Sequence, residues 1–364
     1  MPGEQQAAHS LRLVKRIVER IECAGGVISF HDYMQSCLYE PGLGYYTAGA
    51  TKFGAAGDFI TAPELTPLFG QTLGNYAAQV FGMGFANSIL EFGAGTGKLC
   101  HDLVSRLNTL GESWQHYLII ETSADLRERQ QEYLEQRLSP GDFARIQWLE
   151  RLPRRFNGLV VGNEVLDAMP VHVLLKQDEW VELGVAFDGE RFDWQVLTGP
   201  SAATEAMRKI DADDSLPSDY CTEINLNYAP WCKALAASCG RARLLLVDYG
   251  YDQAQYYHPV RTQGTLVCYY RHRVHPDPFV YPGLQDVTAF VDFDGFADAA
   301  EAAGFRPLGL SSQARFLLHH GLLELGDLKL DPLLSAQQVK QLTLPGEMGE
   351  KFKVVELEID RRPG

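Results

Sequence analysis

The chain has 364 residues, with 32 Lys+Arg against 47 Asp+Glu and a formal net charge of −15. Hydrophobic residues make up 46% and charged residues 22%, the balance of an ordinary globular protein. The acidic surplus argues against a general nucleic-acid binder, which needs basic charge to meet phosphate, and against docking on an anionic membrane surface.

At ~150 residues per domain the length corresponds to two or more domain equivalents. No apolar run approaches the ~18 to 20 residues that cross a bilayer, so membrane insertion is not expected. Residues 1–8 lack the apolar core of a secretory signal. Residues 11–21 are basic and amphipathic, as in a transit peptide. However, Glu19, Glu22 and the direct run into the sequence after Gly25 favour a docked helix. The seven cysteines are scattered and form no Cys-x-x-Cys pair, which predicts reduced, mostly buried thiols, no metal site and a cytoplasmic location.

Residues 39–46 and 53–64 are too rich in glycine, proline and aromatic residues for regular structure. They read as a binding loop or as a connector packed by its own rings. A helix is predicted over 67–81. From there strands and helices alternate: strand 88–92, helix 98–107, strand 117–120, helix 124–138, and strands 146–148 and 159–161. That alternation indicates an α/β fold with a parallel sheet. Three antiparallel strands interrupt it at 171–176, 180–187 and 191–196, the last two joined at Asp188-Gly189. A short helix is expected within 199–219. The α/β pattern resumes with helix 228–239, strand 244–247, a strand or edge segment at 264–270, helix 293–303, strand 306–310 and a closing strand 352–359. The divisions are a cap with a cofactor-covering loop at 1–85, a core at 86–170, a β-rich insertion at 171–227 and a second core part at 228–364.

The unit that carries chemistry is the strand, glycine loop and helix at 90–99. The phosphate-binding loop fails, because the position five before Gly97 is Phe92 and Lys98 is followed by Leu99. The dinucleotide fingerprint fails on spacing, since the order here is Gly93, Gly95, Gly97. With Glu91 two residues before the first glycine, the pattern suits S-adenosylmethionine, whose amino-acid tail and ribose need close backbone approach. Glu121, 24 residues beyond Gly97, is placed to accept the ribose hydroxyls, an acidic position shared with nucleotide-binding folds. An ordinary tight strand–helix turn is the competing reading.

Several ordered segments also resemble a known family. They are residues 38–46, 53–64, Glu91 to Gly97, Glu121-Thr122-Ser123 and residues 163–171. Val247-Asp248-Tyr249-Gly250, residues 286–293 and residues 345–354 complete the set. On these the chain is similar to the MidA-like S-adenosylmethionine-dependent methyltransferases, whose mitochondrial members are complex I assembly factors that dimethylate an arginine. It departs at Ala94, where proline is frequent, at Trp148-Leu149-Glu150, where Trp-His is more usual and only Trp148 matches, and in the loop 258–275. The resemblance implies a Rossmann-like class I methyltransferase sheet with an antiparallel last strand, an N-terminal helical cap and a β-rich insertion. It implies S-adenosylmethionine as cofactor and a protein substrate with an exposed arginine. The alternatives are a small-molecule or non-arginine methyltransferase, and an assembly chaperone that binds the cofactor without turnover.

The expected cofactor residues are Glu91, Gly93, Ala94, Gly95, Gly97, Glu121, Trp148 beside the adenine, Asn163, Phe59 and Thr61, with Asp58 and Glu64 as further hydrogen-bond candidates. The expected catalytic residues are Glu164 and Asp167, to hold a guanidinium, and Asn163. A helix or turn cap is the competing reading of these three. Asp248 and Tyr249 line an acceptor channel or make a sheet-edge bond. The trio Asp211, Asp213 and Asp214 reads as a solvated loop, and His319-His320 as a helix-surface pair. Part of the acid surplus, at Glu64, Glu164, Asp167 and Asp248, is expected to gather around the pocket.

Overall fold

Apolar strands that alternate with amphipathic helices must cover both faces, and here they do so in one sheet. The computed structural model describes residues 2–48, 60–325 and 332–361. Seven strands of the sheet are β1 (Ser88–Phe92), β2 (His116–Ile120), β3 (Ile146–Leu149), β4 (Phe156–Asn163), β5 (Cys239–Tyr251), β6 (Arg306–Ser312) and β7 (Phe352–Asp360). Their spatial order is β3-β2-β1-β4-β5-β7-β6. The strands β3, β2, β1, β4 and β5 are mutually parallel. β7 runs antiparallel between β5 and β6, as expected of the last strand. All five residues of β1 are buried, the signature of a central parallel strand.

The chain runs outward from β1 through β2 to β3, then returns to place β4 on the other side of β1. This reversal opens a crevice beyond the carboxyl ends of β1 and β4, the place where open α/β sheets bind ligands. Register brings these ends level: Phe92 lies opposite both Ile120 and Gly162, and Asn163 lies opposite Val247.

By contacts the chain divides into two units. One comprises Met1–Thr51, Asp167–Pro230 and Tyr251–Gly295; the other comprises Lys52–Leu166, Trp231–Gly250 and Phe296–Gly364 and carries the large sheet. Residues 1–51 of the expected cap share the first unit with the expected insertion and with 251–295, while 52–85 fall in the second. In the second unit the core is built on Leu103, Val104, Ile119, Leu159, Val161 and Leu245, all fully buried.

In the first unit the helix Glu4–Cys23 buries Leu13, Ile17 and Ile21 at four-residue spacing, which is the docked face expected of residues 11–21. Ser10 Oγ donates to the Pro282 carbonyl at 2.8 Å. The expected hairpin is present, with Trp180–Phe187 paired to His172–Lys176 and to Phe192–Val196. Its loop spans four residues, since Phe187 pairs with Phe192, and the Asp188 carboxylate accepts from the Glu190 and Arg191 amides at 2.8 Å. Cys221–Ile224 adds a further strand on His172–Lys176.

Two surface expectations are corrected. Asp211 is buried, not solvated: its carboxylate accepts from Lys176 Nζ at 2.7 Å and from the Trp180 indole at 3.1 Å. A lysine on the inward face of a strand needs a counter-charge, which draws Asp211 inside. His320 is likewise buried, with its ring against Phe316 and Tyr76, and burial pushes its pKa down to about 4. All seven cysteines are free thiols, five of them buried. Among the described residues no helix is long and apolar enough to cross a membrane.

Candidate active site

Each residue at the crevice is delivered by a strand end of the second unit. Glu91, next to last in β1, is fully buried. Its Oε2 accepts the Tyr117 hydroxyl at 2.7 Å, while Oε1 has no partner among the described residues. Burial pushes its pKa up to about 8; the Tyr117 hydroxyl opposes this and the charge of Glu121 adds to it.

The chain then turns through Gly93, Gly95 and Gly97 at φ +65°, +54° and +86°, conformations that other residues avoid. Buried Ala94 accepts the Gly97 amide at 2.8 Å, and Gly97 caps the helix Lys98–Leu110. The short helix Ala62–Leu65 is tied to this loop. Glu64 accepts the Thr96 hydroxyl through its carboxylate, and Lys98 Nζ at 2.9 Å through its carbonyl. Thr61 is buried at the head of that short helix. Phe59 and Asp58 lie outside the described residues.

Glu121, directly after β2, accepts the Ser123 amide on Oε1 at 2.8 Å and Gln130 Nε2 on Oε2 at 3.0 Å. Half-buried Trp148 in β3 donates its indole N–H to Gln130 Oε1 at 2.9 Å. Gln130 is not legible in the sequence, because a glutamine in a polar helix carries no periodic signal.

Asn163 ends β4 and is buried; its Nδ2 donates to Glu164 Oε1 at 3.0 Å, and its Oδ1 has no partner among the described residues. Glu164 has φ +53° and donates its amide to the Val247 carbonyl at 2.8 Å. The next two amides, of Val165 and Leu166, both donate to Asp248 Oδ2, at 3.0 and 2.8 Å. No helix starts at Asn163 or Glu164, so a helix cap has nothing to cap there, while a turn follows at 167–168. Asp248, expected at an acceptor channel or the sheet edge, is buried and holds the turn that carries Glu164.

Asp167 belongs to the first unit, where it is buried and its carbonyl accepts the Ala289 amide at 3.1 Å. Tyr46 donates to both carboxylate oxygens of buried Asp286, at 3.0 and 2.9 Å. Tyr39 donates to the Ala168 carbonyl at 3.0 Å. Burial, then the charges of Asp286 and Asp167, raise the pKa of Tyr39 and of Tyr46.

The second unit therefore brings together Glu91, the three glycines, Glu121, Trp148, Asn163 and Glu164. The arrangement supplies close backbone approach, a carboxylate fixed at both oxygens, and two buried acceptor atoms that face no donor among the described residues. Lys98, the one lysine of the loop, is engaged with the Glu64 carbonyl and not held for a phosphate. These features suit a ligand that brings its own ammonium and hydroxyl donors, as S-adenosylmethionine does.

Comparison with known proteins gives the same answer. Residues 72–311 match the family described as S-adenosyl-L-methionine-dependent methyltransferases. The chain is 30% identical to the Danio rerio "Protein arginine methyltransferase NDUFAF7, mitochondrial", over 94% of this chain and 85% of that one. It is 29% identical to the Caenorhabditis elegans homologue of the same name, over 97% and 87%. It superimposes on a Burkholderia thailandensis crystal structure bound to S-adenosyl-homocysteine with a TM-score of 0.93 and 43% identity, over 100% of this chain and 96% of the other. Sheet order, glycine loop and sequence similarity agree, and the chain belongs to the S-adenosyl-L-methionine-dependent methyltransferase family.

Proposed function

We propose that this protein transfers a methyl group from S-adenosylmethionine to an arginine side chain of a protein substrate, in respiratory complex I or its assembly. Support for the acceptor comes from the relatives named protein arginine methyltransferases. Bound cofactor would supply a methyl group on a positively charged sulfur. The chain's own residues bind, orient and hold charge. Glu121 accepts the ribose hydroxyls and Trp148 packs beside the adenine. The glycine loop admits the amino-acid tail, and Glu91 and Asn163 take its ammonium on their open oxygens. Thr61 covers the ligand.

The observation that carries the acceptor reading is Glu164. A non-glycine residue at φ +53° costs about 1–2 kcal/mol, and here it is held by the Val247 carbonyl, the Asn163 amide and the Asp248 turn. Strain fixed by this many bonds is characteristic of a working residue. Its carboxylate would grip a guanidinium side-on, localise a lone pair on the attacking nitrogen and steady the charge in an in-line displacement. Asp167 is proposed as a second acceptor carboxylate. Seven free cysteines support a reducing, cytoplasmic setting.

Incubating the chain with methyl-labelled cofactor and cell lysate tests the reading. Label on protein arginine is expected and should be lost in Glu164→Gln and, separately, in Asp167→Asn. Label confined to small metabolites, or tight binding without transfer, overturns the arginine assignment.

A further inference from the structure

We propose that Gln130 is the positioning residue of the cofactor pocket, one buried amide that fixes the glycine loop, the ribose-side carboxylate and the indole in a common geometry. The inference rests on the pocket proposed above and adds to it a residue from outside the strand ends. Gln130 lies on the helix Ala124–Glu135, whose other buried residues, Leu126 and Leu134, are apolar. It is fully buried itself, so its polar atoms must all be paired to avoid a desolvation cost.

They are paired, and only with pocket residues. Nε2 donates one hydrogen to the Gly95 carbonyl at 3.0 Å and the other to Glu121 Oε2 at 3.0 Å. Oε1 accepts the Trp148 indole N–H at 2.9 Å. An amide offers two donors and an acceptor in one plane; an ionised glutamate of the same length offers no donor, and methionine offers neither. Because the Ser123 amide takes the other oxygen of Glu121, that carboxylate is gripped on both sides and its rotation is fixed. The helix lies against the glycine loop at this point: a Cβ at Gly97 would meet the Gln130 Cα at 3.7 Å, an ordinary contact distance. Three parts of the pocket, from the loop after β1, the end of β2 and β3, share a single restraint.

The full chain carrying Gln130→Met or Gln130→Glu tests this. Each variant is titrated with S-adenosyl-homocysteine and with its 2′-deoxyribose analogue, alongside steady-state transfer and thermal unfolding. Affinity for S-adenosyl-homocysteine is expected to fall about ten- to hundredfold, the effect of hydrogen bonds to a charged group. The KM for S-adenosylmethionine should rise in proportion, with kcat at saturation changed by less than about threefold. The loss should shrink for the 2′-deoxy analogue, which lacks a hydroxyl that Glu121 would accept. A merely structural glutamine would weaken both ligands by the same factor, and that result overturns the proposal. So does wild-type affinity in Gln130→Met. If Gln130→Met does not fold, Gln130→Glu carries the same comparison, since it keeps the side-chain length and the acceptor for Trp148. A wild-type chain that binds neither ligand overturns the pocket itself; a wild-type chain that binds beside an unaffected variant overturns only the role of Gln130.

Discussion

Glu91 keeps one carboxylate oxygen on the Tyr117 hydroxyl and the other in buried surroundings, and burial lifts its pKa to about 8. The fold thus prefers the protonated acid. Glu91 lowers stability as pH rises from the ordinary carboxylate range, ~4.3, towards about 8, and the loss levels off above that. A ligand ammonium reverses the preference, so binding below pH 8 must expel a proton. Affinity for S-adenosyl-homocysteine should therefore rise between pH 6 and pH 8, by at most about tenfold per unit. The proton appears in calorimetry as a heat that depends on the buffer. Glu91→Gln should lose the dependence, and a flat wild-type profile would refute the assignment. Asp248 makes a second prediction at this scale. Its Oδ2 holds the Val165 and Leu166 amides, so Asp248→Ala should cost roughly 2–4 kcal/mol in urea unfolding and slow transfer by releasing Glu164. Unchanged stability would mean that the turn stands without it. The sequence made Glu91 and Glu164 visible, because Glu91 stands two residues before the first glycine and Glu164 follows the fourth apolar strand. Gln130 and Asp248 were not legible in their roles: each acts on residues that only the fold brings near.

At the level of elements, the helix Pro67–Gly82 packs on Lys98–Leu110, the helix that the glycine loop opens. The contact runs through Gly70 and Gly74, one turn apart. A Cβ at either would fall 2.7 Å from the Cβ of Asp102 or of Arg106. Alanine normally favours a helix over glycine by about 1 kcal/mol, so the sign of the effect is diagnostic. Gly74→Ala should lower stability despite that gain, by about 1–3 kcal/mol of overpacking. A rise in melting temperature would show that the helices are not in close contact. The strands of the sheet were readable because apolar runs bounded by turns recur at regular intervals. Harder to read were Cys221–Ile224, too short to alternate, and the helices Gln313–His319 and Pro332–Thr343, whose sequences carry little amphipathic period. Asp211 misled for a related reason: three nearby acids look solvated until Lys176 supplies a charge that meets two of them, Asp211 and Asp214.

Across the whole chain, the acids behind the charge of −15 serve different purposes. Glu64 serves the glycine loop through Thr96, and Asp248 serves backbone amides, so both are structural uses of acid. Glu91, Glu121 and Glu164 are the carboxylates that the strand ends of the sheet-bearing unit present. Asp167 lies in the other unit with Asp286, Tyr39 and Tyr46, and its part in the chemistry is tested by its own variant. On the reading proposed above, β1 to β4 end in a pocket for S-adenosylmethionine, with Glu121 as its ribose contact. Titration calorimetry of the full chain with S-adenosyl-homocysteine addresses it most directly. One-to-one binding, lost in Glu121→Ala while the melting temperature of the free protein holds, is the predicted result. Binding of NAD with no binding of S-adenosyl-homocysteine would contradict it.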